Sequence, residues 1–144
     1  MKNVISKMSV LIAVSLVVLS ATPANAQTSL MRVDIPFAFL AGNEVHPAGA
    51  YVFKVDSNFR LVDFRALDGR ATYRIQLAGG LPSKAGQAVK GSLRFNCYGD
   101  TYALSGIWSY GAEQGYKVKP SKAESELART WGGPVSETNI QTVR

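Results

Sequence analysis

The chain has 144 residues, 47% of them hydrophobic and 18% charged, and its formal net charge is +6. A chain of this length forms one domain and can bury a core without metals or disulfides. The basic residues are spread along the chain rather than gathered in one run, which argues against a nucleic-acid-binding protein. Cys97 is the only cysteine, so an intramolecular disulfide is excluded.

The first 26 residues have the features of a cleavable export signal. Two lysines precede an apolar run from Met8 to Leu19, and Ala-Asn-Ala at 24–26 is the small-x-small pattern that signal peptidase cuts. The apolar run is shorter than the roughly 20 residues needed to span a bilayer. We therefore expect cleavage to leave one domain, residues 27–144, with a net charge of +4. It is expected in the periplasm or outside the cell, without a transmembrane segment.

Short strands separated by turns are predicted in the first half of this domain. The segment Val33–Leu40 is a predicted strand interrupted at Pro36, because proline lacks the amide that a strand ladder needs. A glycine turn at 42–43 and a second strand over Tyr51–Val55 follow. His46, the only histidine, falls in the predicted loop between these strands.

A hairpin is predicted around residues 68–69, where Asp-Gly favours a two-residue turn with positive φ. In this register apolar residues oppose one another on one face, and an acid opposes a base on the other. A slip of one residue would destroy both matches, because side chains alternate with period two. The predicted pairs are Phe64 with Tyr73, Val62 with Ile75, Asp63 with Arg74 and Arg65 with Thr72.

A second hairpin is predicted around Gly-Asp at 99–100. Its register puts Cys97 on the apolar face together with Phe95 and Trp108. We therefore interpret Cys97 as a small buried side chain rather than as a reactive thiol. The predicted pairs are Cys97 with Tyr102, Asn96 with Ala103, Phe95 with Leu104, Arg94 with Ser105 and Leu93 with Gly106.

One helix is predicted over Pro120–Trp131. Ser121 and Glu124 have the spacing of a capping box, in which each side chain bonds the backbone amide of the other. An apolar stripe recurs every four residues and is expected to pack on the sheet, with a partner-binding face as the alternative. The tail over 132–144 is predicted to be either an irregular segment or a last strand. The stripe consists of Ala123, Leu127 and Trp131.

Residues suited to catalysis are few. With one histidine, a His-His metal site within one chain is excluded, and the sequence has no nucleophile elbow, phosphate-binding glycine loop or Cys-x-x-Cys. A Cys97–His46 nucleophile and base would need an accessible cysteine, whereas the strand pattern points Cys97 inward. We therefore predict a non-catalytic protein with no catalytic residues, no metal and no cofactor.

The candidate binding surface consists of four arginines on predicted polar strand faces. If their strands are neighbours, they form a basic stripe that suits an anion or a glycan. The alternative is a solvated face whose arginine stems cover apolar surface. The four residues are Arg60, Arg65, Arg74 and Arg94.

Four short motifs carry a resemblance to a group of proteins. They are Ile-Pro-Phe-Ala-Phe at 35–39, Pro-Ala-Gly-Ala-Tyr at 47–51, Tyr-Gly-Asp-Thr-Tyr at 98–102 and Ser-Lys-Ala-Glu at 121–124. In this order they resemble a family of small secreted bacterial β-rich proteins of uncharacterised activity. The resemblance implies a fold but no function. It also implies that His46 is not a shared functional residue, because the group more often has leucine there.

The expected fold is all-β, with about six to eight antiparallel strands in a small β-sandwich or flattened β-barrel and one C-terminal α-helix. The expected function is that of an exported non-catalytic binding or structural module, whose partner is an envelope component or a protein. The first alternative is a small β-barrel that carries an apolar or amphipathic ligand. The second is an enzyme with ionisable groups clustered in a cleft. The carrier's pocket would be lined by Phe37, Phe39, Tyr73, Phe95 and Trp108.

Overall fold

The computed structural model describes residues 28–82 and 90–142, so the predicted export signal lies outside the described residues. Within the described ranges no helix is long and apolar enough to cross a membrane. These residues form strands β1 (Thr28–Ile35), β2 (Phe39–Ala41), β3 (Glu44–His46), β4 (Gly49–Asp56), β5 (Leu61–Ala66), β6 (Tyr73–Pro82), β7 (Ser92–Tyr98), β8 (Thr101–Trp108), β9 (Gln114–Val118) and β10 (Ser136–Gln141), and helix α1 (Lys122–Trp131).

The strands form one mixed sheet. Most of its strands are paired in the order β1-β4-β5-β6-β9-β8-β2-β3. Strand β7 pairs with the edge of β8 that faces away from β9 and β2, and β10 pairs with β7. In residues 28–82 and 90–142 the expected all-β fold with a C-terminal helix is therefore confirmed, with more strands than expected. One pairing, β2 with β8, is parallel. It arises because Pro36 ends the pairing of β1 with β4, and the chain then crosses to β8.

One hydrophobic core is built from the inward faces of almost all the strands. Aromatic rings fill much of it, including Phe53 stacked on Phe64 with ring centroids 5.2 Å apart. The rings of Phe39 from β2 and Phe95 from β7 pack with their centroids 5.7 Å apart. The most deeply buried residues of this core are Val33, Ile35, Phe53, Val62, Leu93, Phe95 and Ile107.

The predicted register of the first hairpin is confirmed for three pairs. Phe64, Asp63 and Val62 lie opposite Tyr73, Arg74 and Ile75, respectively. The expected pairing of Arg65 with Thr72 is wrong, because the β5–β6 ladder ends at Phe64. Beyond it, β5 stays paired with β4, and the amide of Leu67 donates to the carbonyl of Ala50 at 2.9 Å.

A β-bulge changes the second hairpin. The pairs of Cys97, Asn96 and Phe95 are confirmed, but Leu93 lies opposite Ile107 and Arg94 opposite Gly106. The Ser105 hydroxyl donates to the carbonyl of Arg94 at 3.1 Å, which accommodates the extra residue on β8. Since Ile107 belongs to the core, the next side chain, Trp108, points to the outward face. Its expected place on the face of Cys97 is therefore wrong.

Helix α1 begins two residues later than predicted because Ser121 is its N-cap. The Ser121 hydroxyl accepts from the amide of Glu124 at 3.1 Å. The helix ends at Trp131 and is capped by Gly132, which has a left-handed φ of 71°. Of the predicted stripe, Ala123 and Leu127 pack on Leu40, Tyr98 and Ala103, whereas Trp131 is half exposed.

The C-terminal segment, for which the sequence left two alternatives, forms β10 and pairs antiparallel with β7. The amide of Val135 donates to the carbonyl of Cys97 at 2.9 Å and starts this pairing. Ile140 on β10 packs against the core. The last strand thus covers the edge of β7 that the β7–β8 hairpin would otherwise leave open.

Candidate functional site

The four predicted arginines lie in two regions. Arg65 on β5 and Arg74 on β6 are exposed on neighbouring strands, and Arg60 lies in the turn before β5. Arg94 lies on β7, and strands β8 and β9 lie between β7 and β6. The structure therefore brings three of the arginines to one part of the sheet and places Arg94 in another site.

The first region is an outward surface of β1, β4, β5 and β6 that we call the basic face. Arg32 on β1, Val52 on β4 and Arg65 on β5 form one row across the sheet. Sequence reasoning missed Arg32 and Lys54, because only the long-range pairing of β1 with β4 and β5 brings them beside Arg65. The next row is Leu30, Lys54, Asp63 and Arg74.

Only one cation of the basic face is paired with an acid. Nε and Nη2 of Arg74 donate to the two carboxylate oxygens of Asp63 at 2.7 and 2.9 Å. This bond lowers the pKa of Asp63, chiefly through the hydrogen bond itself. Arg32, Lys54 and Arg65 form no ion pair with a described carboxylate. Arg32 and Arg65 are therefore available to an external anion, whereas Lys54 lies opposite Asp63 and its charge also lowers the pKa of that carboxyl.

Two large apolar side chains lie among these cations. Leu30 is 69% exposed beside Lys54, and Phe59, in the β4–β5 turn, is 75% exposed. The turn is ordered by Asp56, whose Oδ1 accepts from the amide of Phe59 at 3.2 Å. Arg60, which follows, has a left-handed φ of 52°. Phe59 shares a shallow cleft of about 320 Å³ with Lys54 and Arg74, so it belongs to the basic face.

The second region is a groove of about 480 Å³ between α1 and the outward faces of β7, β8 and β9, which we call the helix cleft. It brings together charged side chains of both signs from four different elements. Arg94 and Lys117 are its cations, and Glu124 and Glu137 are its acids. The other lining residues are Asn96, Tyr98, Ser105, Pro120, Ser125, Ala128 and Pro134.

Arg94 is held firmly in this cleft. Its guanidinium carbon lies 5.1 Å from the centroid of the Trp108 ring, within the range of a cation–π contact. One guanidinium nitrogen lies 3.7 Å from Oε2 of Glu137, a long ion pair. The Nε atom of Arg94 is buried and has no hydrogen-bond partner among the described residues.

Glu124 is a buried carboxylate on the helix side of the cleft, only 6% exposed. Its Oε1 accepts from the Asn96 amide at 3.0 Å and from the Tyr98 hydroxyl at 3.3 Å. The pKa of Tyr98 is raised, first by burial and then by the charge of Glu124. The expected reciprocal bond of Glu124 to the cap is therefore wrong: the side chain joins the helix to β7. Nothing in the local pattern signals a contact across 28 residues.

No family model, curated protein or solved structure matches this chain.

Cys97 and His46 contact different parts of the molecule. Cys97 is buried, with its sulfur 3.5 Å from the Thr138 hydroxyl of β10. His46 is 3% exposed on β3 and lies against the rings of Phe64 and Tyr73, at 4.9 and 4.4 Å between ring centroids. Among residues 28–82 and 90–142, no three His, Cys, Asp or Glu side chains are grouped to hold a metal ion.

The burial of His46 predicts an acid-sensitive stability. Burial lowers its pKa below the ordinary 6.5, against smaller opposing effects of the Ala41 backbone and the Glu44 charge. The unfolded chain therefore binds this proton more readily, and stability is lost as the pH falls from about 6.5 through the folded-state pKa. We expect the free energy of unfolding to fall between about pH 7 and about pH 5 in urea titrations.

The matched variant is His46→Leu, which keeps an apolar side chain of similar bulk among the rings. It should flatten the pH dependence in this window, since Asp63, whose pKa is lowered, titrates at more acid pH. An unchanged slope in His46→Leu would show that another group causes the acid sensitivity.

Proposed function

We propose that this protein is an exported, non-catalytic binding module of the cell envelope that attaches to anionic lipid headgroups through its basic face. The observation that carries the proposal is the composition of that face. Arg32 and Arg65, which form no ion pair with a described carboxylate, and Lys54, which lies opposite Asp63, accompany the exposed apolar side chains of Leu30 and Phe59. Each cation near an anionic bilayer contributes about 1 kcal/mol of attraction.

The apolar side chains favour a lipid surface over an acidic polysaccharide. A polysaccharide needs cations and hydrogen-bond donors, whereas a bilayer also takes up aromatic side chains at the headgroup level. Phe59 is directed outward by a turn that forces Arg60 into a left-handed conformation, which costs on the order of 1 kcal/mol. The hydrogen bonds of Asp56 maintain this turn although Phe59 gains little burial from it.

We also infer that the sheet curls into a flattened β-barrel. In support, β1 and β10 approach each other, so the order β1-β4-β5-β6-β9-β8-β7-β10 would nearly close on itself. Two of the rings expected to line a carrier's pocket, Phe37 and Phe95, pack edge to face at 5.2 Å. Contacts of this kind occupy the space that an enclosed ligand would need, which favours recognition on the outer surface over carriage inside.

Export is the remaining part of the proposal, and the lysine-led apolar run with Ala-Asn-Ala at 24–26 supports it. The intact mass of the protein isolated from the envelope fraction of its producing cells should correspond to a chain that begins at Gln27. A mass that includes residues 1–26, or recovery from the cytoplasm, would contradict this part.

Vesicle binding tests the basic face. The protein should co-sediment with vesicles of phosphatidylglycerol in phosphatidylcholine but not with phosphatidylcholine alone. High salt should weaken this binding because it screens exposed charges. The double variant Arg32→Gln/Arg65→Gln should bind about tenfold more weakly. This loss is somewhat smaller than the removal of two full contributions of about 1 kcal/mol each.

The control removes the same charge elsewhere. Lys122 and Arg129 are exposed on α1, so Lys122→Gln/Arg129→Gln changes the net charge equally and should leave binding nearly unchanged. Equal losses in the two double variants would show attraction by net charge alone and contradict a specific face. Binding to an acidic polysaccharide but not to the vesicles would contradict the choice of lipid.

A further inference from the structure

The charge of Arg94 is poorly compensated for a side chain that is mostly buried. The side chain of Arg94 is 19% exposed, and its only ion pair among the described residues is the 3.7 Å contact with half-exposed Glu137. Its Nε donor has no partner in the described part of the chain. Burying a charge is costly unless it is paired and hydrogen-bonded, so an anion that enters beside Arg94 would be favoured.

Lys117 provides a second cation on the same row of the sheet. Gly106 on β8 pairs with Arg94 of β7 on one side and with Lys117 of β9 on the other. Neighbouring strands are about 4.8 Å apart, so the backbones of the two cations are roughly 10 Å apart. Gly106 contributes no side chain, and the space above it is filled by the edge of the Trp108 ring and a methyl group of Leu81. The room for a small group is therefore not over Gly106 itself but in the adjoining groove, which Arg94 and Lys117 both line.

The acids of the helix cleft differ in their bonding. Glu124 already accepts from Asn96 and Tyr98, so its charge is stabilised within the protein. Glu137 makes only the long contact with Arg94. An entering anion would therefore compete with Glu137 for the guanidinium and would leave the Glu124 cluster intact.

We propose that the helix cleft binds a small molecule through an oxyanion, a carboxylate or a phosphate group, held between Arg94 and Lys117. The guanidinium presents a planar fork that suits two oxygens of one oxyanion, and Trp108 fixes its orientation. Lys117 adds a point charge from the opposite side. This site lies on β7, β8 and β9 and is separate from the basic face, so it is independent of the proposed attachment to lipid.

The experiment is a titration of the full protein with acetate and with inorganic phosphate, each at constant ionic strength set by chloride. The readouts are the NMR signals of the Trp108 indole N–H and the Arg94 Nε–H. Both should shift and saturate with at least one of the two anions, and the anion that saturates first identifies the oxyanion class. The Trp131 indole, at the exposed end of α1, should not shift and serves as the internal control.

Four variants test the site: two should weaken binding, one should strengthen it and one is a control. Arg94→Gln should weaken binding by about tenfold or more. Lys117→Gln should weaken it by several-fold, and because Lys117 is exposed this substitution disturbs no core packing. Glu137→Gln should strengthen binding by about twofold to fivefold, because the competing carboxylate is removed. Arg65→Gln on the basic face should have no effect. Absence of saturable shifts with both anions, unchanged binding in Lys117→Gln, or weaker binding in Glu137→Gln would overturn the proposal.

Discussion

Replacing Gly115 by alanine is expected to destabilise the protein by about 2–3 kcal/mol, because a Cβ atom there would lie 2.4 Å from Nε1 of Trp108. The ring has little freedom to move away. Its other edge lies over Gly106, where a Cβ would be 2.8 Å from the indole, and Arg94 packs on its face. Trp108 is almost completely buried, so displacing it would also expose apolar area.

The control for this substitution is Gly79→Ala. Gly79 is exposed on β6, and a Cβ there would meet no atom within 4 Å. Urea unfolding should therefore give Gly79→Ala nearly the stability of the original protein and Gly115→Ala a clear loss. If both variants were equally stable, the indole would have room to move, and the close packing of Trp108 on β9 would be refuted.

Replacing Glu124 by alanine is expected to cost about 2–4 kcal/mol, because it removes the acceptor of two hydrogen bonds at once. The part-buried side-chain amide of Asn96 and the buried hydroxyl of Tyr98 would then lose their acceptor. Bonds to a charged acceptor contribute more than neutral ones. We therefore expect Glu124→Gln, which keeps an oxygen acceptor without the charge, to lose roughly half as much stability.

Two further measurements distinguish the loss of the Glu124 hydrogen bonds from a change in helix propensity. Glu126→Ala changes an exposed residue of the same helix and should stay within about 0.5 kcal/mol of the original protein. The pKa of Tyr98, followed by ultraviolet absorbance, should fall in Glu124→Gln, because the Glu124 charge contributes to raising it. If the pKa of Tyr98 stayed unchanged, the contact between the two side chains would not exist in solution.

The parts of the fold that were predictable from the sequence depend on local rules. The pairing of Asp63 with Arg74 follows from strict alternation on both strands, which excludes a one-residue slip, together with the position of the turn signal between them. The N-cap of α1 follows from the hydroxyl of Ser121 and its fixed spacing to Glu124. In both cases the determining residues are close in sequence, so a pattern search finds them.

The parts that were not predictable depend on contacts between distant residues. The bulge at Ser105 moves Trp108 to the outward face, and no turn signal marks it. The buried carboxylate of Glu124 and the row of Arg94, Gly106 and Lys117 both need the sheet order before they can be recognised. The same holds for the basic face, of which only the cations on β5 and β6 were predicted from the sequence.

The two sites divide the outer surface by chemistry. The basic face combines free cations with exposed Leu30 and Phe59, which suits an extended anionic surface. The helix cleft is a groove with a fixed arginine, which suits one small group. Under the two proposals, lipid would be bound through β1, β4, β5 and β6, and the oxyanion through the groove on β7, β8 and β9.

The most direct test of lipid attachment maps the bound surface. Backbone amide signals would be recorded with anionic bicelles that contain a spin-labelled lipid, which broadens signals from residues near the bilayer. Attachment through the basic face predicts the strongest broadening around Leu30, Arg32, Phe59 and Arg65, with α1 largely unaffected. Broadening centred on α1, or uniform weak broadening over the whole protein, would contradict it.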